Sequence, residues 1–142
     1  GYDTSSANIC QVLYFLALHI HIQEKVHAEL NEIFKGRENS PVEKDDFLKM
    51  KYLDMVINES LRLCSPPFIM RKLHHDLKTG HGILPAESTV CVSIYTLHRD
   101  PKYWEHPDEF YPEHFLPENV ASRPKYAYLP FSAGPRNCPG MN

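Results

Sequence analysis

The closing stretch FSAGPRNCPGMN, Phe131 to Asn142, sets a single thiol among residues that would change its chemistry. Gly134 permits backbone conformations that a β-carbon would penalise, which suits a tight loop. Arg136 puts a fixed cation two residues before Cys138, and Gly140 leaves room for another backbone to pack close behind. A cation and backbone N–H groups around a thiol favour the thiolate, the form that acts as nucleophile or metal ligand. A buried structural cysteine in a Gly/Pro loop is the competing reading. Two further constellations carry charge. Glu59 and Arg62 stand three apart, on one face if the segment is helical. Asp3 and Thr4 put an acid and a hydroxyl side by side at the head of an apolar stretch, where a buried position competes with a helix cap.

These residues need elements to hold them. The segment ANICQVLYFLALHI carries apolar residues on nearly every face, the pattern of a helix buried on all sides. Ile22, Val26, Leu30 and Ile33 with Phe34 recur at helical spacing among acids and a lysine, giving an amphipathic second helix. KGRENSP breaks it. A short helix through Asp45, Asp46, Phe47 and Leu48 follows, with acids where a helix start prefers them. MKYLDMVINESLRL predicts a longer helix with Leu53, Val56, Ile57, Ser60 and Leu61 on one side, ended by Ser65-Pro66-Pro67. From Phe68 to Tyr95 turn residues separate short runs such as VCVSIYT, rich in β-branched and aromatic residues, which predict a small sheet. Prolines are dense from Leu97 onward, yet Trp104, Phe110, Phe115, Tyr126, Tyr128 and Phe131 give that part much to bury. It reads as an ordered, irregular wrap.

Composition narrows the function classes. The chain has 142 residues, 42 % of them hydrophobic, enough for one globular core. Fifteen basic and eighteen acidic residues give a net charge of −3, too balanced to suggest nucleic acid as a partner. The longest apolar run, Val12 to Leu18, is far too short to span a bilayer. Cys10, Cys64, Cys91 and Cys138 form no C-x-x-C pair, which speaks against structural zinc and against a disulfide framework. They read as separate thiols in a reducing compartment.

The spacing F-x-x-G-x-R-x-C-x-G, here Phe131, Gly134, Arg136, Cys138 and Gly140, resembles the haem-binding loop of the cytochrome P-450 superfamily. Glu59-Ser60-Leu61-Arg62 is similar to the family's E-x-x-R. Trp104-x-x-Pro107, Phe110 and Pro112-Glu113-His114-Phe115 are similar to its aromatic and proline-rich segment. Gly1-Tyr2-Asp3-Thr4-Ser5 looks like the middle of its long central helix. All four occur in the family's order, and LHRDP, FLPEN and AYLPFSAGPRNC look most like the family-four branch, whose members often oxidise fatty acids.

The resemblance implies a mainly α fold with a small β-sheet, the carboxyl-terminal part of the cytochrome P-450 fold, as one partial domain over residues 1–142. It implies a haem-thiolate monooxygenase that inserts one oxygen atom from dioxygen into an apolar substrate, with fatty acids and xenobiotics as candidate classes. The cofactor would be haem b, its iron bound axially by Cys138, whose thiolate pushes electron density onto the metal. Arg136 and Arg71 would pair with the haem propionates, Phe131 would shield the sulfur, and Gly134 and Gly140 would shape the loop. Asp3 and Thr4 would relay protons. Glu59, Arg62 and His114 would form a buried structural cluster. Electrons would come from an NADPH-dependent reductase, with cytochrome b5 as a second candidate donor, at the cytosolic face of the endoplasmic reticulum membrane. The amino-terminal half, the anchor and the helix after the haem loop are expected to lie outside this chain, which alone would be inactive. A reductase-independent haem-thiolate lipid isomerase and a degenerate, non-catalytic copy are the rival readings.

Four positions depart from the family's pattern. His114 stands where an arginine usually completes the Glu59–Arg62 cluster, and imidazole has fewer donors, so a looser cluster is expected. Pro139 removes a backbone N–H directly after the cysteine. Ile20 replaces a proline that commonly starts the following helix. Glu87 sits where a turn glycine is usual, with a cost on the order of 1 kcal/mol if φ is positive.

Overall fold

The computed structural model describes residues 2–37 and 40–141. Its elements run α1 (Tyr2–Leu18), α2 (Ile20–Ile33), α3 (Lys44–Phe47), α4 (Lys51–Cys64), β1 (Phe68–Lys72), β2 (Leu77–Thr79), β3 (Gly82–Leu84), β4 (Thr89–Ser93), α5 (Ile94–Leu97) and α6 (Pro117–Ser122). Short 3-10 turns occupy Pro112–Phe115 and Pro139–Met141. The architecture is mainly α with small β elements, as the sequence predicts. The sheet is two separate antiparallel pairs: β1 with β4, where Ile69 faces Val92 and Arg71 faces Val90, and β2 with β3.

α1 and α2 meet at a bend of 111°, and no single helix among the described residues is long and apolar enough to cross a membrane. His19 occupies the corner, its Nδ1 2.9 Å from the Phe15 carbonyl oxygen. α2 begins at Ile20 with no side-chain cap. Ile22, Val26, Val56 and Phe110 form the helical core, and Val12, Phe15, Leu16 and Leu30 pack against it. The Phe15 and Phe110 rings stack with centroids 4.4 Å apart, so the proline-rich wrap closes onto α1.

α1 differs from the expectation of burial on all sides. None of its residues is fully buried, and Ile9, Leu13, Tyr14 and Leu18 are each about 60 % exposed. Only the stripe carrying Val12, Phe15 and Leu16 reaches the core. An all-round apolar pattern shows that a helix can be covered everywhere, and this chain covers one side.

α4 is the axis of the molecule. Its start has no side-chain cap of its own. Glu29, on α2, supplies the cap: its carboxylate accepts from the Tyr52 N–H at 2.7 Å and the Leu53 N–H at 3.0 Å. A carboxylate on two such orphan donors also opposes the positive end of the helix dipole. Met55, Val56, Glu59, Ser60, Leu61 and Arg62 are buried. Ile57, expected on the inner side, is 39 % exposed. The charged pair takes the inward stripe and rotates Ile57 out of it.

A second difference falls in VCVSIYT. Strand β4 ends at Ser93, whose Oγ accepts from the Thr96 N–H at 3.2 Å and caps α5. Ile94, Tyr95 and Thr96 are therefore helical. Beyond α5 the chain wraps irregularly, as expected, apart from α6 and the two 3-10 turns.

Candidate functional site

Cys138 lines an open cleft of about 220 Å³ with Pro66, Ile69, Ile94, Leu129, Phe131 and Arg136. Three elements build the wall. Ile69 comes from β1, Ile94 from the first turn of α5, and Leu129 to Cys138 from the terminal loop. The loop is closed by the Cys138 N–H donating to the Phe131 carbonyl at 2.9 Å, and by the Asn137 N–H donating to Gly134 at 3.1 Å. Gly134 turns with φ +83°, the left-handed region that the sequence assigns to it. Ser132 adopts φ +65°, which the sequence gives no reason to expect. Pro139 removes the N–H next to the sulfur, as its sequence position requires.

Arg71 reaches this loop. Its Nη2 donates to the Arg136 carbonyl at 3.0 Å and to Ser132 Oγ at 3.4 Å, which places both arginines beside the thiol loop. Both remain exposed, as does Cys138, a free thiol. Phe131 is half-buried and lines the cleft with the sulfur. Among the described residues, a β-carbon on Gly140 would meet only Cys138 Sγ at 3.9 Å, an ordinary contact.

Asp3 and Thr4 differ from the buried pair that the apolar surroundings predict. Both are exposed in the first turn of α1, and neither lines the Cys138 cleft. The cause is the one that exposes the rest of α1: the apolar stripe touching the core begins at Val12.

Behind the loop the buried cluster is more connected than the E-x-x-R spacing alone implies. Arg62 Nε and Nη2 grip Glu59 in a fork, both at 2.7 Å. Arg62 Nη1 donates to the carbonyls of His98 and Pro107, each at 2.6 Å, and Nη2 also donates to that of Glu109 at 2.8 Å. One guanidinium thus holds α4 against three points of the wrap, using its full donor set. Burial pushes the Glu59 carboxyl up, but the hydrogen bonds from Arg62 and His114 and from the Tyr111 N–H outweigh it and hold it below its ordinary value. His114 Nδ1 lies 3.2 and 3.3 Å from the two Glu59 oxygens, a longer contact than either Arg62 bond. This agrees with the looser cluster expected of an imidazole at that position.

Trp104, 1 % exposed, packs beneath the cluster with the guanidinium carbons of Arg62 and Arg123 at 4.9 and 4.0 Å from its ring centre. Arg123 also donates to the His114 carbonyl. Sequence reasoning singled out neither Arg123 nor His98 nor Ser132. Their partners lie far along the chain or depend on backbone geometry, so no short motif announces them. Glu87 has φ +65° in the turn before β4, as the turn glycine usual at this place in the family implies, and pairs with Lys72 at 2.5 Å.

The donor set bears on what the cleft could hold. Among the described residues no group of three or more His, Cys, Asp or Glu side chains could ligate a metal ion. The cleft offers a single soft ligand, an apolar wall and two flanking guanidinium groups. That set suits a metal that arrives within its own planar apolar macrocycle bearing anionic edge groups, and needs one protein ligand.

The thiol loop, the cluster behind it and the mainly α frame together form the arrangement that the sequence motifs lead one to expect. A family model described as Cytochrome P450 matches residues 1–142, and the chain belongs to that family. It is 49 % identical to Cytochrome P450 4V2 of Mus musculus, over 99 % of this chain and 27 % of that protein. It is 44 % identical to Lithocholate 6-beta-hydroxylase of Mesocricetus auratus and 43 % identical to Cytochrome P450 4c3 of Drosophila melanogaster, again over 99 % of this chain. These alignments cover 28 % and 26 % of the two proteins, so the chain spans about a quarter of the length of the curated relatives it matches. Members of the family-four branch are among them, as the terminal motifs imply.

Proposed function

We propose that the protein containing this chain is a haem-thiolate monooxygenase, in which Cys138 would supply the protein's ligand to the iron. The observation that carries the reading is the convergence of Cys138, Phe131 and Arg136 on one apolar cleft, with Arg71 bonded to the same loop. When bound, the haem supplies activation of dioxygen and insertion of one oxygen atom into a C–H bond. The chain's own residues bind and orient. Cys138 offers the sulfur from a loop held by the Phe131 carbonyl. Arg71 and Arg136 would present cations to the propionates, and Phe131 would keep water from the sulfur. Glu59 and Arg62, with His114, hold the wrap that leads into the loop.

Asp3 and Thr4 are the residues proposed to pass protons at the distal side, through a carboxylate and a hydroxyl that can accept and donate in turn. The substrate is proposed to be apolar, a fatty acid or a xenobiotic. One relative's name specifies lithocholate, which adds a sterol-like acid to the classes worth assaying. Electrons are proposed to come from an NADPH-dependent reductase, with cytochrome b5 as a second donor, at the cytosolic face of the endoplasmic reticulum.

The test is the Soret band of the ferrous carbon monoxide complex of the full-length gene product, compared with Cys138→Ser. A thiolate-type band that disappears in the variant is expected. An unchanged band overturns the reading. Turnover that proceeds without reduced nicotinamide overturns the monooxygenase assignment in favour of an isomerase.

A further inference from the structure

His98 caps the carboxyl end of α5 and its ring is fully buried. Nδ1 lies 3.0 Å from the Arg62 carbonyl oxygen, and Nε2 lies 2.9 Å from the Leu129 backbone nitrogen. A carbonyl oxygen only accepts and a backbone N–H only donates. Both bonds therefore form together in one state alone, the neutral ring with its hydrogen on Nδ1. The main chain of His98 is equally engaged. Its N–H donates to Ile94 at 2.9 Å, and its carbonyl accepts from Arg62 Nη1 at 2.6 Å.

These contacts form one continuous path. The last turn of α4 accepts from His98, and His98 accepts from Leu129. Two residues later, the Phe131 carbonyl accepts from the Cys138 N–H at 2.9 Å. Leu129, Phe131 and Cys138 line one cleft, and so does Ile94, whose carbonyl His98 bonds. Around the ring, α4 contributes the charges of Arg62 and Glu59, the next residue is Arg99, and the wrap contributes Trp104 and Tyr128. Burial foremost, with the cations of Arg62 and Arg99 adding to it, depresses the basicity of His98 to a value of about 4, against the Arg62 carbonyl and Glu59, which raise it; the neutral ring is the stable form.

We propose that His98 is a positioning residue for the thiol loop. Its neutral ring carries the fixed position of α4 to Leu129, and so sets where Cys138 stands in the cleft. The inference rests on Cys138 being the haem ligand. The bond to Leu129 is the active part, because it is the only one of the ring's two bonds that reaches the loop. A second tether lies one residue earlier, where the Tyr128 hydroxyl donates to the Asn58 carbonyl at 2.9 Å. Tyr128→Phe removes that tether while keeping the aromatic ring that packs against His98, and so serves as the control.

Two amide variants in the full-length, haem-loaded protein separate the ring's two bonds. The shorter side chain of His98→Asn keeps a donor near Nδ1 and leaves the Leu129 N–H without an acceptor. The longer one of His98→Gln brings an acceptor to the place of Nε2. Leaving a buried N–H unpaired shifts a local equilibrium by about tenfold. The expected result is a roughly tenfold lower ratio of thiolate-type to non-thiolate carbon monoxide complex in His98→Asn, with most of it regained in His98→Gln. Exchange of the Leu129 amide, followed by nitrogen-15 leucine labelling, should speed up by about the same factor in His98→Asn and not in Tyr128→Phe.

A ratio unchanged in His98→Asn, or a His98→Gln variant as poor as His98→Asn, overturns the role of His98. Should the Asn variant not accumulate as folded protein, the wild-type exchange decides. A protected Leu129 amide supports the proposal, and one exchanging at the rate of an open loop overturns it. A wild-type protein without a thiolate-type band overturns the haem reading itself, which Cys138→Ser distinguishes from a failure of His98 alone.

Discussion

Arg62→Lys keeps the charge and removes the fork. Arg62 makes five hydrogen bonds, two to Glu59 and three to carbonyls of the wrap. An ammonium has three donors on a single nitrogen, so at least two of the five acceptors lose their partner. Each buried acceptor so stranded costs about 1–3 kcal/mol, and the pair with Glu59 loses its two-point geometry. The sum is about 3–5 kcal/mol, near the range for breaking a buried ion pair outright. Against a total stability of roughly 5–15 kcal/mol, that removes about a fifth or more. Equilibrium unfolding of the full-length protein in urea, followed by circular dichroism and by loss of the haem band, measures it. The double variant with Glu59→Gln should cost less than the sum of the singles by about 1 kcal/mol or more, since the two side chains share bonds. A single-variant loss below about 1 kcal/mol would refute the reasoning, because it would mean that the five bonds are not made together.

Acid should destabilise the protein in a defined window. His98 has its folded pKa depressed to about 4 from an ordinary 6.5, so the unfolded chain binds a proton that the folded chain refuses. Its contribution is complete above pH 6.5 and is lost as pH falls toward 4, worth about 3 kcal/mol over that span. Glu59, also depressed, adds a loss in the same direction below its ordinary value of 4.5; stability curves of wild type and His98→Gln should converge across the His98 window, and parallel curves would contradict this. Glu87→Gly removes a non-glycine residue from φ +65° and should stabilise by about 1 kcal/mol in urea unfolding, with a destabilised variant as the contrary result. Pro139→Ile restores a backbone N–H beside the sulfur and should raise the haem reduction potential, measured by spectroelectrochemistry; equal potentials would reject the role given to the missing donor.

The parts legible in the sequence were those written in local spacing. Glu59 and Arg62 at three apart announce a shared helix face, and Gly134 announces a left-handed turn that the backbone adopts, while the turn at Glu87 follows only from the family resemblance. Helix phase was harder. Ile57 fits the apolar stripe of α4 by periodicity, yet the stripe belongs to Glu59 and Arg62, which are buried because their partners arrive from residues 98 to 114. Ser93 is a good helix cap, but the β-branched run around it hides the cap and extends the expected strand three residues too far. α1 shows the limit of an all-round apolar pattern, which reports what a helix can bury and not what this chain places beside it. His98 looked like one more polar residue in LHRDP. Its importance lies in a carbonyl 36 positions upstream and an amide 31 positions downstream, and no window of sequence contains both.

The carboxylate of Glu29 shows how far such dependence extends. It fixes the first turn of α4 from a different helix, 23 residues upstream of Tyr52. The angular setting of α4 is thus locked at its origin, and every later side chain inherits it, including the two that grip the wrap. A lesion at this distant acid would act like a slipped gear, turning the shaft slightly and disengaging teeth at its far end while every tooth remained intact.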